Sequence, residues 1–138
     1  MALGRRVSKD VAERYAADER LAGTYRDRLA AATEAERVLR AAETEARPAD
    51  ELRALSIAFD KALTEALLAA EAAERVAMGT RVYASDGADA AARRAAEIAR
   101  REAKAKPAVR PWTEEVDRLR TAREAHRLGY RTGPGVAA

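Results

Sequence analysis

The residues with the clearest chemical potential are basic and lie between Ala91 and Trp112. This stretch, AARRAAEIARREAKAKPAVRPW, contains seven Lys or Arg residues and only two Glu residues. Because guanidinium groups bind phosphate or carboxylate through paired hydrogen bonds, the cluster is a candidate polyanion site. Its predicted binding residues are Arg93, Arg94, Arg100, Arg101, Lys104, Lys106 and Arg110.

The spacing of these residues predicts a helix with two different faces. At about 100° per residue, the five cations from Arg93 to Lys104 share an arc of about 120°. The opposite arc contains Ala91, Ala92, Ala95, Ile98, Ala99 and Ala103. We therefore expect this helix to pack on its own protein through alanine and to direct its arginines outward.

Two other interpretations of the basic face stay open. Glu97 is four residues from both Arg93 and Arg101, so helix ion pairs would make this face an ordinary solvated surface. In the other interpretation, the face contacts an acidic protein or a phospholipid surface. No helix-turn-helix, RRM, KH or zinc-finger signature accompanies the cluster, so its motif specificity is low.

Catalytic and metal-binding patterns are absent from the sequence. His126 is the only histidine, it has no Ser or Cys nucleophile pattern nearby in sequence, and Glu124 does not give the Glu-x-x-His spacing of di-iron bundles. There is no cysteine, and the seven glycines form no phosphate-binding loop. We expect a protein that is not an enzyme and uses no cofactor, no metal and no small-molecule substrate.

Composition indicates one domain with a weak core. The 138 residues are 36% charged and 4% aromatic, and alanine dominates the apolar fraction. Alanine buries little area, so packing against copies of the chain or within a larger complex is favoured. The formal net charge of +3 is concentrated in the second half, because residues 88–138 carry 12 basic and 7 acidic side chains.

The first half of the sequence predicts two long helices. The first begins at Ser8, its predicted N-cap, and ends just before Pro48. Gly23 lies inside it and marks a kink or a close helix approach. Pro48 begins the second helix, and Gly79 ends it as a C′ glycine. The short link at Pro48 predicts that residues 1–79 form a long antiparallel helical hairpin.

The second half, residues 80–138, is predicted to contain two shorter helices and an extended C-terminal tail. The dipeptide Val82–Tyr83 is assigned to an extended linker or a short edge strand. Ser85 or Asp86 is expected to cap the third helical block, which covers residues 88–105.

Proline and glycine delimit the rest of the chain. Pro107 and Pro111 predict a stiff, extended linker. Thr113 is expected to cap the fourth helical block, and Gly129 to end it. Residues 130–138 form a predicted tail that is disordered unless a partner holds it.

Three apolar residues are candidate partner contacts. Ile57 and Leu68 lie about 150° from the apolar seam of the second helix, and a second apolar face indicates a second neighbour. That neighbour is either another helix of the same chain or a partner. Trp112 either staples the fourth block onto the bundle or anchors a partner from an exposed position.

These observations predict an all-α, non-enzymatic assembly or scaffolding component of a larger particle, with protein partners or self-association. The basic half would face nucleic acid or another polyanion, in a phage packaging or virion complex, a ribosome-type particle or a nucleoid. One alternative is a free oligomeric, sequence-tolerant DNA-binding or regulatory protein. Another is a pure protein-interaction subunit of a larger complex, for example a membrane-associated one.

Localisation is weakly constrained by the sequence. No apolar run approaches the roughly 18 residues of a membrane span, and the N-terminus lacks the apolar region of a signal peptide. An intracellular or virion setting is therefore favoured.

Overall fold

The computed structural model describes residues 2–83 and 89–132 of the chain. These residues form five α-helices and contain no β-strand, so the predicted all-α class is confirmed. The helices are α1 (Ala2–Ala22), α2 (Tyr25–Thr44), α3 (Ala49–Met78), α4 (Ala90–Lys104) and α5 (Arg110–Thr132). A single 3-10 turn, Thr80–Val82, follows α3.

Helix α3 is the element around which the others pack. It contacts α1, α2 and α5 along its 30 residues, whereas α4 packs mainly on the 3-10 turn. Four of its alanines are completely inaccessible to solvent: Ala66, Ala69, Ala70 and Ala72. Small side chains at these positions allow neighbouring helix backbones to approach closely, which is how one helix accommodates three neighbours.

The core has two clusters. In the larger one, Phe59, Leu63 and Leu67 of α3 meet Val116 and Leu119 of α5. The smaller one lies at the end of α3 and contains Met78, Val82, Tyr83, Ala103 and Val109. It joins the 3-10 turn, α4 and the turn before α5 to α1, because Val11 and Tyr15 pack against it.

The first helical block is divided into α1 and α2 at Gly23 and Thr24. The Thr24 N–H donates to the Leu21 carbonyl only three residues back, at 3.0 Å. The Thr24 hydroxyl donates to the same carbonyl at 2.6 Å and accepts from Arg28 at 2.8 Å. Hydroxyl bonding back to the helix backbone bends helices, and it occurs here next to Gly23, so the single predicted helix is interrupted at the residue where a kink is one of the two predicted outcomes.

The predicted start of this block is wrong. The backbone is already helical from Ala2, so Ser8 lies inside α1 and does not begin it. The residues before Ser8 include Ala, Leu and Arg, which favour a helix enough to continue it toward the N-terminus.

The boundary at Gly79 agrees with the prediction, whereas the segment after it does not. Gly79 ends α3 with φ of 96°, a conformation that favours glycine. Val82 belongs to a 3-10 turn and Tyr83 follows it, and both are buried. They form part of the smaller core cluster and are not an extended linker or an edge strand, because burying both side chains requires the chain to turn back onto α3.

Asp89 caps α4. Its carboxylate accepts a hydrogen bond from the Ala92 N–H at 2.7 Å, the geometry that satisfies a free donor in the first turn. The predicted caps Ser85 and Asp86 lie outside the described residues.

The stiff linker predicted at Pro107 and Pro111 is also wrong. A compact turn follows α4, in which Val109 and Arg110 N–H groups donate to the Lys106 carbonyl. Pro111 lies in the first turn of α5, where its missing N–H costs nothing.

Helix α5 starts earlier and ends later than the sequence predicts. Thr113 is inside α5 and donates to the Val109 carbonyl at 3.5 Å, so it does not cap the helix. Gly129 is also helical, and α5 continues to Thr132, because one glycine costs only about 1 kcal/mol in a packed helix. The rest of the predicted tail, residues 133–138, lies outside the described residues.

A partly buried acidic group, the Asp18 carboxylate, joins α1 to the end of α3. The Asp18 carboxylate accepts hydrogen bonds from Arg75 at 2.8 and 3.0 Å and from the Tyr83 hydroxyl at 2.5 Å. Burial would raise the pKa of Asp18, but the hydrogen bonds from Arg75 and Tyr83 outweigh burial and hold this pKa below its usual range. The Asp18 anion therefore stabilises the junction of α1, α3 and the 3-10 turn.

The contrast between Leu67 and Leu68 tests this core directly. Leu67 is 2% exposed and Leu68 is 50% exposed, although they are adjacent in α3. We expect Leu67→Ala to lower the free energy of unfolding by about 3 kcal/mol, because it leaves a cavity, and the matched Leu68→Ala to cost less than about 1 kcal/mol. Urea denaturation measures both values, and equal losses would contradict the packing described.

The pH dependence of stability tests the Asp18 junction. Because the pKa of Asp18 is lowered in the folded state, its contribution is present above the unfolded pKa of about 3.9 and disappears as pH falls through the folded pKa. We expect Asp18→Asn to cost about 1 kcal/mol at pH 7. Thermal unfolding curves of the two proteins should converge below about pH 4, and a constant difference down to pH 2 would contradict this role.

Candidate functional site

Helix α4 docks on the bundle through a narrow alanine strip. Ala96 and Ala103 are buried, at 7% and 2% exposure, and Ala99 between them is half-buried. Ala103 belongs to the smaller core cluster, with Ala99 packed against it. Alanine at these three positions places the α4 backbone close to the 3-10 turn.

The docked strip is narrower than the alanine face that the sequence predicts. Ala91, Ala92, Ala95 and Ile98 are exposed, and Ile98 retains 49% of its accessible surface. The reason is geometric, since α4 packs mainly on a single turn and only slightly on α3. A support this small covers about one third of the helix circumference.

The predicted cations of α4 are exposed. The side chains of Arg93, Arg94, Arg101 and Lys104 make no hydrogen bond or ion pair with any described residue. Arg100 is exposed as well, and one of its terminal nitrogens donates to the Val82 carbonyl at 3.3 Å. That bond fixes Arg100 beside the docking turn while leaving its charge unneutralised.

Glu97 does not form the ion pairs expected of a solvated face. Within the described parts of the chain, no ion pair joins it to Arg93 or Arg101. It lines a shallow surface depression of about 290 Å³ together with Arg100, Arg101 and Lys104. The depression therefore contains three cations and one carboxylate, and its net charge is positive.

Many arginines elsewhere in the bundle are arranged differently. Ion pairs join Arg28 to Glu65, Arg75 to Asp18 and Arg127 to Asp60, all between helices. Arg120 of α5 also lies 3.7 Å from Glu71 of α3. Other ion pairs join residues three or four positions apart in the chain, as at Arg37, Arg40, Arg47 and Arg118. Single cations without an ion pair to a described residue also occur elsewhere, as at Arg20, Arg26 and Arg81, but α4 carries five of them on one face.

The last two predicted polyanion contacts lie on the turn after α4. Lys106 is exposed in this turn, and Arg110 is exposed as the first residue of α5. Neither side chain makes an ion pair with a described residue. They continue the series of free cations beyond the end of α4.

Trp112 packs inside the bundle. Its ring meets the Tyr25 ring edge-on, with centroids 5.2 Å apart and an interplanar angle of 82°. The Tyr25 hydroxyl donates to Glu115, and burial together with this carboxylate raises the pKa of Tyr25 to about 12. Trp112 is half-buried and joins α5 to α2. This agrees with the alternative in which Trp112 staples the fourth helical block onto the bundle, and it leaves little of the ring accessible to a partner.

Ile57 and Leu68 are not covered by another helix of the bundle. They are 60% and 50% exposed, although α3 packs against three helices. The interpretation that another helix of the same chain covers them is therefore wrong for the described residues. Their exposure leaves the partner-contact alternative.

The structure places a serine beside the only histidine, which the sequence did not indicate. His126 Nε2 lies 3.2 Å from the Ser56 hydroxyl and 2.9 Å from the Ser56 carbonyl oxygen. Ser56 and His126 are 70 residues apart, so no local motif signals this pair. Only the packing of α5 on α3 brings them together.

This Ser–His pair lacks the arrangement of a hydrolase. The 2.9 Å contact to the carbonyl satisfies Nε2 as a donor, and a protonated Nε2 cannot accept the serine proton. The nearby Asp60 carboxylate is held by Arg127 at 2.7 and 3.1 Å and does not orient the imidazole. His126 instead packs edge-on against Phe59, with centroids 4.7 Å apart.

Other kinds of site receive no support from the described residues. Among them, no group of three or more His, Asp or Glu side chains is arranged to hold a metal ion. Nor does any helix in the described ranges combine the length and apolarity required to cross a bilayer.

Comparison with protein-family models, with characterised proteins and with solved structures finds no match to this chain.

Paired substitutions test the docking of α4. We expect Ala103→Glu to detach α4, because a carboxylate would enter an apolar cluster, whereas Ala95→Glu on the exposed side should have little effect. Hydrogen exchange of the α4 amides should accelerate by at least about tenfold in Ala103→Glu only, with α3 still protected. Equal exchange rates in both variants would show that α4 is not held by this strip.

Proposed function

We propose that the protein is a non-enzymatic helical assembly component whose α4 binds nucleic acid through its basic face. The observation that carries this proposal is the set of exposed α4 cations without an ion-pair partner in the described residues. A helix that is docked by alanine and leaves five cations unneutralised presents a fixed positive surface. Phosphate groups neutralise such a surface with release of counterions.

The spacing of the arginines supports backbone contacts without sequence readout. The pairs Arg93–Arg94 and Arg100–Arg101 are two helical turns apart, or about 10.5 Å along the axis. Guanidinium groups at this separation engage successive or opposing phosphates of a duplex. The face has no Asn, Gln or aromatic side chain, and Trp112 is half-buried in the bundle, so contacts of Arg or Lys to guanine are the main direct base readout open to it. Binding is therefore expected to depend little on sequence.

The bundle would act as the rigid support for this surface. We propose that α1 and α2 together pair with α3 as an antiparallel hairpin. The inter-helix ion pairs support this direction, since Asp18 contacts Arg75 whereas the later Arg28 contacts the earlier Glu65. When residues later in one helix contact residues earlier in its neighbour, the two helices run antiparallel.

A second candidate function is favoured by Ile57 and Leu68. Exposed branched side chains on the central helix support a role as a protein-interaction subunit, in which the basic face is only solvated. Both surfaces in one chain suit a component of a nucleic-acid-containing particle such as a virion, a ribosome-type particle or a nucleoid. A free oligomer that binds DNA without sequence preference is the remaining alternative.

Salt-dependent binding to duplex DNA tests the proposed function. We expect fluorescence anisotropy to show binding that weakens by at least about a hundredfold between 50 and 200 mM salt, as expected for several phosphate contacts. Replacing five α4 cations by Gln should abolish it. These substitutions are at Arg93, Arg94, Arg100, Arg101 and Lys104.

The control variant removes the same number of charges from paired arginines. It carries Gln at Arg37, Arg40, Arg47, Arg118 and Arg120. Both variants lower the formal net charge of +3 by five, so a general charge effect would weaken both equally. Binding that survives in the α4 variant, or is lost to the same degree in both, would refute the role of this face.

A further inference from the structure

The exposed strip of α3 is spaced like one side of a coiled coil. Ala54, Ile57, Lys61, Thr64 and Leu68 follow each other at intervals of three and four residues. Four of them are exposed, and Thr64 is half-exposed. The strip is therefore a continuous, largely uncovered helix face about 21 Å long.

The strip is complementary to itself. Reversing its direction about the midpoint between Ala62 and Leu63 places Ile57 opposite Leu68, and Lys61 opposite Thr64. Ile57 of each copy then contacts Leu68 of the other copy. The dimer has two such apolar contacts, one on each side of a polar centre formed by Lys61 and Thr64. This is the reciprocal pattern of a two-fold interface, in which one patch contacts its own copy.

The charges of the strip agree with the same arrangement. Lys61 is exposed and makes no ion pair with a described residue. In the reversed register, it lies beside Glu65 of the second copy. The Glu65 side chain is 44% exposed and pairs with Arg28 through Oε2 at 3.1 Å, while its Oε1 makes no hydrogen bond with a described residue and can accept from a second cation.

We propose that this face of α3 is a homodimer interface, in which two copies pack antiparallel with Ile57 against Leu68 and Lys61 beside Glu65 of the other copy. A foreign partner would need no symmetry in the strip, whereas a second copy requires the apolar and charged positions to match under reversal. This proposal identifies the partner for the protein-contact part of the proposed function and rests on that part. It does not depend on α4.

Sedimentation equilibrium at several hundred micromolar protein tests the dimer, because a small interface gives a Kd in the micromolar range. The wild-type chain should approach twice its monomer mass of 15.0 kDa. Ile57→Asp should remain monomeric with unchanged helix content, since Ile57 is 60% exposed and supports no core contact. A wild-type chain that stays monomeric would overturn the proposal and leave the face to a foreign partner.

Two charge reversals test the register. Lys61→Glu brings two carboxylates together at each of these cross-chain contacts, and Glu65→Lys brings two ammonium groups together there. Each variant should therefore dimerise about tenfold more weakly than wild type. An equimolar mixture of the two variants should recover dimerisation, because every cross-chain contact again joins Lys and Glu. A purely intrachain effect predicts no recovery.

Further measurements separate the two surfaces. Lys9→Glu, an exposed charge reversal on α1, should dimerise as wild type does. Monomeric Ile57→Asp should still bind DNA, so loss of the dimer and loss of the α4 site give different results. If wild type dimerises but the mixed charge variants show no recovery, the antiparallel register is wrong.

Discussion

The close approach of neighbouring helices to α3 is the constraint on which the rest of the structure depends. Ala66, Ala69, Ala70 and Ala72 have no accessible surface, and a larger side chain at any of them would push a neighbouring helix away. Burying alanine removes little apolar area from water, so most of the stabilisation of the core comes from the few large residues that these alanines bring together. Phe59, Leu63, Leu67 and Leu119 meet only because the helices lie close enough. An alanine-rich composition, which suggests a weak core, therefore produces a core with well-defined packing around α3.

The same use of alanine creates the basic surface. Helix α4 has no large buried residue, and its hold on the bundle comes from Ala96, Ala99 and Ala103. Because this strip is narrow, most of the helix circumference stays in solvent, where charged arginine side chains incur no desolvation penalty. The inter-helix ion pairs at Asp18, Glu65 and Asp60 consume cations of α2, α3 and α5. No equivalent carboxylate from another described helix reaches α4, so its positive charge is available to a ligand.

Much of the fold follows from the sequence, and the errors concern where individual elements begin and end. Gly79, Pro48 and the apolar spacing predict the helical class and the ends of α3, because these signals act within a few residues. The same local rules predict an extended segment at Val82–Tyr83, a linker at Pro111 and a helix end at Gly129, and these three predictions are wrong. At Val82 and Tyr83, packing in the smaller core cluster outweighs the local preference. Pro111 instead suits the first turn of a helix, and Gly129 costs a helix only about 1 kcal/mol, so neither residue interrupts α5. The Ser56–His126 contact could not be predicted by local rules at all, since no local pattern relates residues 70 positions apart.

By itself, the sequence determined the helical class, the positive charge of the second half and the angular order of the arginines on α4, since all three depend on residue type and helix periodicity. Only the tertiary structure decided which of those residues are free. Glu97 is correctly spaced for ion pairs with Arg93 and Arg101, yet none forms among the described residues. Likewise, Ile57 and Leu68 are apolar in the sequence, but their exposure depends on where α2 and α5 pack around α3. Accessibility is a property of the assembled bundle, because it depends on neighbours that periodicity cannot position.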